Sequence, residues 1–180
     1  MAGCNSQSPR RGFFGQSLRQ FKVPQEKCTG AMEAIIFIGI QGSGKSTFYK
    51  VRFFDTHVRI NLDMLKSKYR QQLLLNACIE GKQPFVVDNT NVMAKTRAYF
   101  IIPAKAAGFR VVGYYFRSDV KAALFRNSGR DGVARIPDIG LLDTYKRLQS
   151  PRRDEGFDAL FYVSINEAGE FIVEEWADEV

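Results

Sequence analysis

An α/β fold with a central parallel sheet is what the sequence predicts, and three observations carry that reading. Short β-branched apolar runs alternate with longer helical patterns from residue 34 onward. The first run, Ala34–Ile40, is apolar almost without a break, as a strand covered on both faces must be. Glycines follow it at once and lead into a helical stretch, a strand–turn–helix joint.

The elements follow in order. Ala34–Ile40 is too short, and too rich in isoleucine, to be a helix. Ser46–Phe54 reads as the helix after it, and Val58–Asn61 as a short second strand flanked by His57. Leu62, Leu65, Tyr69, Leu73 and Ala77 recur at steps of three and four, which predicts one amphipathic helix from Leu62 to Glu80, stopped by Gly81. Lys66, Lys68 and Arg70 lie off that stripe, toward solvent or ligand. Pro84–Asp88 is a third buried strand, with proline tolerated because it opens the run. Ala94–Ala107 is helical, and Pro103 inside it predicts a kink or a split. Val111–Phe116 is a fourth strand, and Ser118 is placed to cap a helix from Asp119 to about Asn127. Asp138–Gln149 forms another helix, closed by Pro151. Leu160–Ile165 and Phe171–Trp176 flank Asn-Glu-Ala-Gly and predict a C-terminal β-hairpin. In such a fold ligands bind at the carboxyl ends of the strands.

Charge narrows the partners. The 180 residues carry a net charge of +7, but residues 34–153 alone hold 21 basic and 8 acidic side chains, a net of +13. Asp154–Val180 hold nine acids and no base, on the hairpin expected to lie away from the basic body. A basic body suits a polyanion or a phosphorylated ligand; the plainer alternative is a solvated surface. No run of 18 apolar residues exists, so no membrane-spanning helix and no membrane partner is expected. Cys4, Cys28 and Cys78 are odd in number and never spaced C-x-x-C, which argues against a disulfide framework or a zinc site and fits a reducing, cytoplasmic or nuclear compartment. His57, the lone histidine, rules out multi-histidine metal chemistry and reads as a residue flanking the second strand. Residues 1–32 are expected to be a leader outside a domain at 33–180. Their acid-free start, with Arg10, Arg11 and Arg19, resembles a transit peptide; a floppy extension or an early start site is the other reading.

Gly39-Ile-Gln-Gly-Ser-Gly44-Lys45-Ser46 matches G-x-x-x-x-G-K-[ST] between a strand and a helix, where phosphate binding needs it. Glycines let backbone N–H groups turn inward on phosphates, and the helix start adds its positive end. Gly39, Gln41, Gly42, Ser43, Gly44, Lys45, Ser46 and Thr47 are thus the candidate ATP-binding residues. Lys45 would reach the β- and γ-phosphates, and the Ser46 hydroxyl would take a Mg²⁺ position.

Two aspartates end the next two strands, on the same sheet edge as that loop. Asp88 closes an apolar strand and suits the metal; Asp63, beside Lys66, suits a base taking the proton of an attacking hydroxyl. For Asp63 the alternative is a helix N-cap or first-turn acid. Arg126, Arg130 and Arg135 surround a Gly-containing segment between two helices, a candidate lid closing over the γ-phosphate, or an ordinary exposed loop.

Four segments then carry a resemblance: Gly42-Ser-Gly-Lys45-Ser-Thr47-Phe48, Asn61-Leu-Asp63, Asp88-Asn89-Thr90-Asn91, and Asn127-Ser-Gly-Arg130 leading to Ile136-Pro137. From about Glu33 to Ile165 the chain resembles the P-loop kinase domain of phage and animal polynucleotide 5′-hydroxyl kinases. Tyr145 through Pro151 to Glu155-Gly156-Phe157 follows the animal pattern as well. The resemblance implies a P-loop kinase fold, its parallel sheet sandwiched by helices, with a helical lid. It implies transfer of the ATP γ-phosphate to a 5′-OH end of RNA or DNA. On that basis Asp63 is the general base, Lys45 and Arg130 clamp the β/γ-phosphates, Arg126 joins the nucleotide, and Ser46 and Asp88 serve Mg²⁺. Lys66, Asn89, Thr90 and Asn91 would face the acceptor, and Pro151–Phe157 the adenine. Lys66, Lys68, Arg70 and Arg97 would form a groove for the acceptor strand. The sequence departs from the family at Leu62, where an arginine is frequent, and at Gln41, where proline is common; no phosphatase or ligase domain is in view. A small-metabolite kinase on the same scaffold, or an ATP-switched binding module, are the competing readings.

Overall fold

The computed structural model describes residues 32–129 and 136–177; the expected leader (Met32 aside), Arg130 and Arg135 lie outside the described residues. The sheet has the order β2-β3-β1-β4-β5-β6. Its strands are β1 Glu33–Ile38, β2 Val58–Ile60, β3 Phe85–Val87, β4 Arg110–Phe116, β5 Ala159–Ile165 and β6 Phe171–Glu175. β1 to β5 pair parallel, and β6 pairs antiparallel with β5. The helices are α1 Lys45–Arg52, α2 Leu62–Leu65, α3 Lys68–Glu80, α4 Ala94–Ala106, α5 Val120–Ser128 and α6 Asp138–Lys146. This is the expected α/β P-loop fold with a C-terminal hairpin. Among the described residues no helix is long and apolar enough to cross a membrane.

The unbroken apolar runs have a simple cause: the sheet is covered on both faces. Ala34, Ile36 and Ile38 of β1 point into a core shared with Leu75 and Cys78 of α3 and Phe100, Ile101 and Ala104 of α4. The alternate residues Ile35 and Phe37 point into a second core with Phe48, Tyr49 and Phe53 of the α1 region. Phe37 sits among the rings of Phe48, Phe53, Tyr114 and Phe116, with centroids 5.2–6.1 Å away. In the first core Cys78 packs as a small hydrophobe, and burial pushes its thiol up to about 11.

The local structure departs from the sequence reading at several points. The helix expected over Leu62–Glu80 is two helices. Lys66 takes a left-handed conformation (φ 64°) as its N–H bonds the Leu62 carbonyl, and the Ser67 hydroxyl accepts from Arg70 N–H to start α3. The break rotates the packing face, so Gln71, Leu75 and Cys78 are buried while Tyr69, Leu73 and Ala77 are exposed. α4 runs through Pro103 unsplit. The N–H that proline lacks would have bonded the Tyr99 carbonyl, in a stretch where Tyr99 and Ile102 face water, so solvent can replace that single bond. The cap of α5 is Asp119, which accepts from Ala122 N–H, while the Ser118 hydroxyl accepts from Ile40 N–H and donates to the Phe116 carbonyl. β6 lies at the opposite edge of the sheet from β2, which separates the acidic hairpin from the tips of β2 and β3.

His57 immediately precedes β2, buried, with Nδ1 2.8 Å from the Thr56 hydroxyl and Nε2 3.9 Å from Glu33. Burial holds its imidazole below the usual 6.5, against a smaller opposing pull from Glu33. The unfolded chain therefore takes up the proton at a higher pH than the folded one. The stability contributed by the neutral ring is complete above about 6.5 and is lost as pH falls from there toward the folded value. Melting temperature should fall between about pH 7 and 5, and His57→Gln should flatten that slope by up to one proton. Parallel slopes in the two proteins would place the acid sensitivity elsewhere.

Candidate active site

The loop from Gly39 to Gly44 joins β1 to α1 and is fixed at both ends. Gly39 N–H donates to the Thr90 carbonyl (2.9 Å), which ties the loop to the chain just beyond β3. Two glycines are required by what surrounds them. Gly42 takes a left-handed conformation (φ 76°) that disfavours any side chain, and a Cβ there would crowd the Ala123 carbonyl of α5 at 3.1 Å. Gly44 (φ 98°) would put one 3.0 Å from Ile165 and 3.1 Å from Phe171. Phe171 also meets Phe48 edge-on at 5.1 Å, so the C-terminal hairpin braces the start of α1.

Lys45 lies folded over the loop, its ammonium donating to the carbonyls of Gly39 (3.0 Å) and Ile40 (2.5 Å) and to Ser43 Oγ (3.2 Å). The Gln41 side chain donates to Thr144 of α6 (3.3 Å), whereas Thr47 is exposed. Ser46 Oγ donates to Asp88 Oδ2 (2.9 Å), so the two residues expected to serve a metal are in direct contact. Both are hard oxygen donors, and one hydroxyl with one carboxylate suits Mg²⁺, which keeps several waters and phosphate oxygens as its other ligands. Among the described residues no group of three or more His, Cys, Asp or Glu could hold a metal.

Sequence reasoning missed Arg59. Its Nε (2.9 Å) and Nη2 (2.5 Å) both donate to Asp88 Oδ2, Nη2 also reaches Ser46 Oγ (3.0 Å), and the guanidinium lies 5.4 Å from the Tyr49 ring centre. A signal was present: an arginine inside a strand of a sheet covered on both faces needs a carboxylate, and Asp88 ends the neighbouring strand. Asn61 was underused too. Its Oδ1 accepts from Met64 N–H as the cap of α2, and its Nδ2 donates to the Asp88 carbonyl (2.5 Å). Capping therefore falls to Asn61 and not to Asp63. Asp63 occupies the first turn of α2 with its carboxylate exposed and, among the described residues, without a hydrogen bond or ion pair.

Other candidates divide. Lys66, exposed, closes α2 three residues after Asp63. Asn89 accepts from Leu62 N–H (2.9 Å) and donates to Gln71 (3.1 Å), so it holds the start of α2. Asn91 does not line the site: it is buried, with Nδ2 donating to the Phe37 carbonyl (2.7 Å), because it ties β1 to the chain after β3. Arg97 does not reach a surface groove. It is 0% exposed, paired with Glu155 through two 2.6 Å bonds, and its Nη1 donates to the carbonyls of Asn91, Val92 and Gln149. An arginine within Ala94–Ala106, a helix packed on the sheet, can face inward when a glutamate meets it, and Glu155 lies 58 residues away in sequence.

The Arg126 guanidinium donates from Nε to the Gly42 carbonyl (2.6 Å), which brings the first arginine of the expected lid onto the phosphate loop. Asn127 staples the two sides of that segment together, bonding both the N–H and the carbonyl of Ile136. Beside Ser43 an open pocket is lined by Arg117, Asp119, Arg126, Val163 and Ile165. The backbone N–H of Ala122 holds the Asp119 carboxyl below the usual range, with Arg117 and Arg126 adding to it. Pro151–Phe157, expected near the adenine, does not line this pocket: Phe157 packs in the core shared with α3 and α4, against Gly113 and Leu160.

Comparison with known proteins bears on the family and the fold. Residues 35–149 match the family model described as AAA domain. The bifunctional polynucleotide phosphatase/kinase of Schizosaccharomyces pombe is 26% identical over 129 residues, which is 69% of this chain and 32% of that protein. The chain thus spans about a third of that relative's length. Among solved structures, Chaetomium thermophilum Kti12 in complex with ADP-AlF3 superposes with a TM-score of 0.57 at 17% identity, over 76% of this chain and 92% of that one. A gluconokinase from Sinorhizobium meliloti 1021 superposes with 0.52 at 19% identity, over 73% and 82%. At such identities these two likenesses speak for the fold alone.

The burial of Arg97 has a measurable consequence. Arg97→Ala strands Glu155 and three backbone carbonyls, and should lower unfolding stability by about 3–5 kcal/mol in urea titration. A loss within about 0.5 kcal/mol is what a solvent-facing groove residue would give instead.

Proposed function

Because this chain belongs to the AAA domain family and is a P-loop kinase, we propose that it transfers the γ-phosphate of ATP to the 5′-hydroxyl end of RNA or DNA. The observation that carries the reading is the division of labour at the start of α2. Asn61 caps the helix and grips the Asp88 carbonyl, which leaves the Asp63 carboxylate exposed and unengaged on the sheet edge that carries the phosphate loop. A carboxylate in the first turn also favours the helix dipole, but a base additionally needs the unpaired, exposed oxygens that Asp63 keeps. Similarity to a polynucleotide phosphatase/kinase over 69% of the chain supports the choice of acceptor.

In this reading the backbone of Gly39–Gly44 cradles the triphosphate, and Lys45 turns from the loop carbonyls to the β- and γ-phosphates. Ser46 and Asp88 hold Mg²⁺, which when bound neutralises charge on those phosphates. The acceptor 5′-oxygen attacks the γ-phosphorus as its proton passes to Asp63; the bond to the β–γ bridging oxygen breaks and ADP leaves. Arg126, already on the Gly42 carbonyl, and Arg130 absorb the charge that spreads over the transferring group. Lys66, Lys68 and Arg70, all exposed at the end of α2 and the start of α3, take acceptor phosphates, with Asn89 bonded to the start of α2 and Thr90 next to it in the chain facing the acceptor.

Two measurements test this. Incubation of γ-labelled ATP with 5′-hydroxyl oligonucleotides should give labelled 5′ ends, and Asp63→Ala should lower the rate by about 10²-fold or more with ATP binding retained. No label from the wild type overturns the acceptor; label on a sugar or nucleoside instead, at a rate independent of strand length, assigns a small-metabolite kinase. For the basic surface, Lys66→Ala or Lys68→Ala should weaken oligonucleotide binding and reduce its salt slope by about 0.7 per lost phosphate contact. An unchanged slope would remove those residues from the acceptor path.

A further inference from the structure

Arg59 stands where the reading above needs a metal. Ser46 Oγ and Asp88 Oδ2 are 2.9 Å apart, and one guanidinium nitrogen, Nη2, lies within 3.0 Å of both. Nε adds a second bond to the same carboxylate oxygen, so Oδ2 accepts three hydrogen bonds. We propose that Arg59 is a displaceable counter-ion of the metal site, neutralising Asp88 in the nucleotide-free protein and expelled from Oδ2 when a divalent cation arrives with the triphosphate. The inference rests on the assignment of Ser46 and Asp88 to the metal.

The physical argument has three steps. With its side chain 1% exposed, the Asp88 carboxylate cannot be left without a cation at neutral pH. Arg59 supplies that cation, and clearing Oδ2 for a metal means moving the guanidinium. A divalent ion bound to Oδ2 at about 2.1 Å would need the lone pairs that Nε and Nη2 now occupy, and would repel their charge. An exit exists. The Arg59 side chain is 25% exposed, and the Tyr49 ring beneath it offers a face that keeps attracting the guanidinium as it slides toward water. The competing arrangement is specific: Asp88 Oδ1 accepts no hydrogen bond among the described residues, so a cation could bind there with Arg59 left in place.

Mn²⁺ binding to the full chain with a non-hydrolysable ATP analogue, followed by electron paramagnetic resonance, separates the two. Displacement predicts that Arg59→Met tightens Mn²⁺ binding by about tenfold, and that Arg59→Lys, which keeps the charge but loses the second donor, falls between. In an Asp88→Asn background the Arg59→Met effect should vanish. Unchanged Mn²⁺ affinity in a folded Arg59→Met protein overturns the proposal in favour of Oδ1, and weaker affinity overturns it in favour of Arg59 as a positioning residue for Asp88. Should Arg59→Met not fold, Arg59→Lys decides by the same comparison. The titration contains no acceptor. A tightened Mn²⁺ affinity with no oligonucleotide labelling overturns only the acceptor reading, whereas no Mn²⁺ binding in any of the proteins overturns the metal assignment and this proposal together.

Discussion

A carboxylate at the end of a strand covered on both faces must be neutralised where it stands, and in this protein Asp88 is that group. Breaking a buried pair by removing one partner costs about 3–5 kcal/mol, so the surroundings of Asp88 are not free to vary independently. Arg59 reaches it from β2, Ser46 from the first turn of α1, and Asn61 grips its carbonyl from the start of α2. Thr90, two residues on, anchors Gly39 at the base of the phosphate loop. Groups 27 to 42 residues away from Asp88 in sequence therefore share it as one reference point, and Asp63 inherits its place from Asn61 two residues before it.

The phosphate loop is held from its other sides by packing. Gly42 abuts α5 and Gly44 abuts Ile165 and Phe171, so α5 and the C-terminal hairpin both bear on a loop of six residues. The acidic hairpin thereby has a structural duty that its charge does not reveal. Its Phe171 completes the apolar wall against Phe48, while β6 stands at the sheet edge opposite β2. An acidic segment on that edge stands well away from Lys66, Lys68 and Arg70, where the proposed polyanionic acceptor would bind.

The sheet, its parallel order and the phosphate loop were legible because each has a local signature: unbroken apolar runs for strands covered twice, and glycines followed by Lys-Ser for the anion cradle. The Ser46–Asp88 pairing was legible from topology, since both sit at carboxyl ends of a parallel sheet. What escaped depends on contacts distant in sequence. Arg97 faces inward because Glu155, 58 residues away, meets it. Arg59 was read only as part of a strand because its need for a carboxylate is visible in Val58–Ile60 but its partner, Asp88, stands 29 residues away. The Leu62–Glu80 stripe misled for a different reason: an apolar period persists across a break, and Ser67 as an internal cap was the signal against a single helix.

That break bears on the site as well as on the fold. A helix of four residues cannot hold itself together in water, because nucleation is unfavourable and only the first bonds are made. α2 persists because Asn61 caps it, Asn89 accepts from Leu62 N–H, and Lys66 closes it in a left-handed conformation that costs about 1 kcal/mol or more for a side chain of this kind. Without the break, the axis set at Asn61 would carry through Glu80, and the face of Gln71, Leu75 and Cys78 would turn away from the sheet. With it, α3 packs by its own register while α2 keeps the orientation dictated by Asp88. The strain at Lys66 thus lies between two demands, burial of α3 and a fixed outward placement of Asp63 and Lys66, and only the second bears on the proposed phosphoryl transfer.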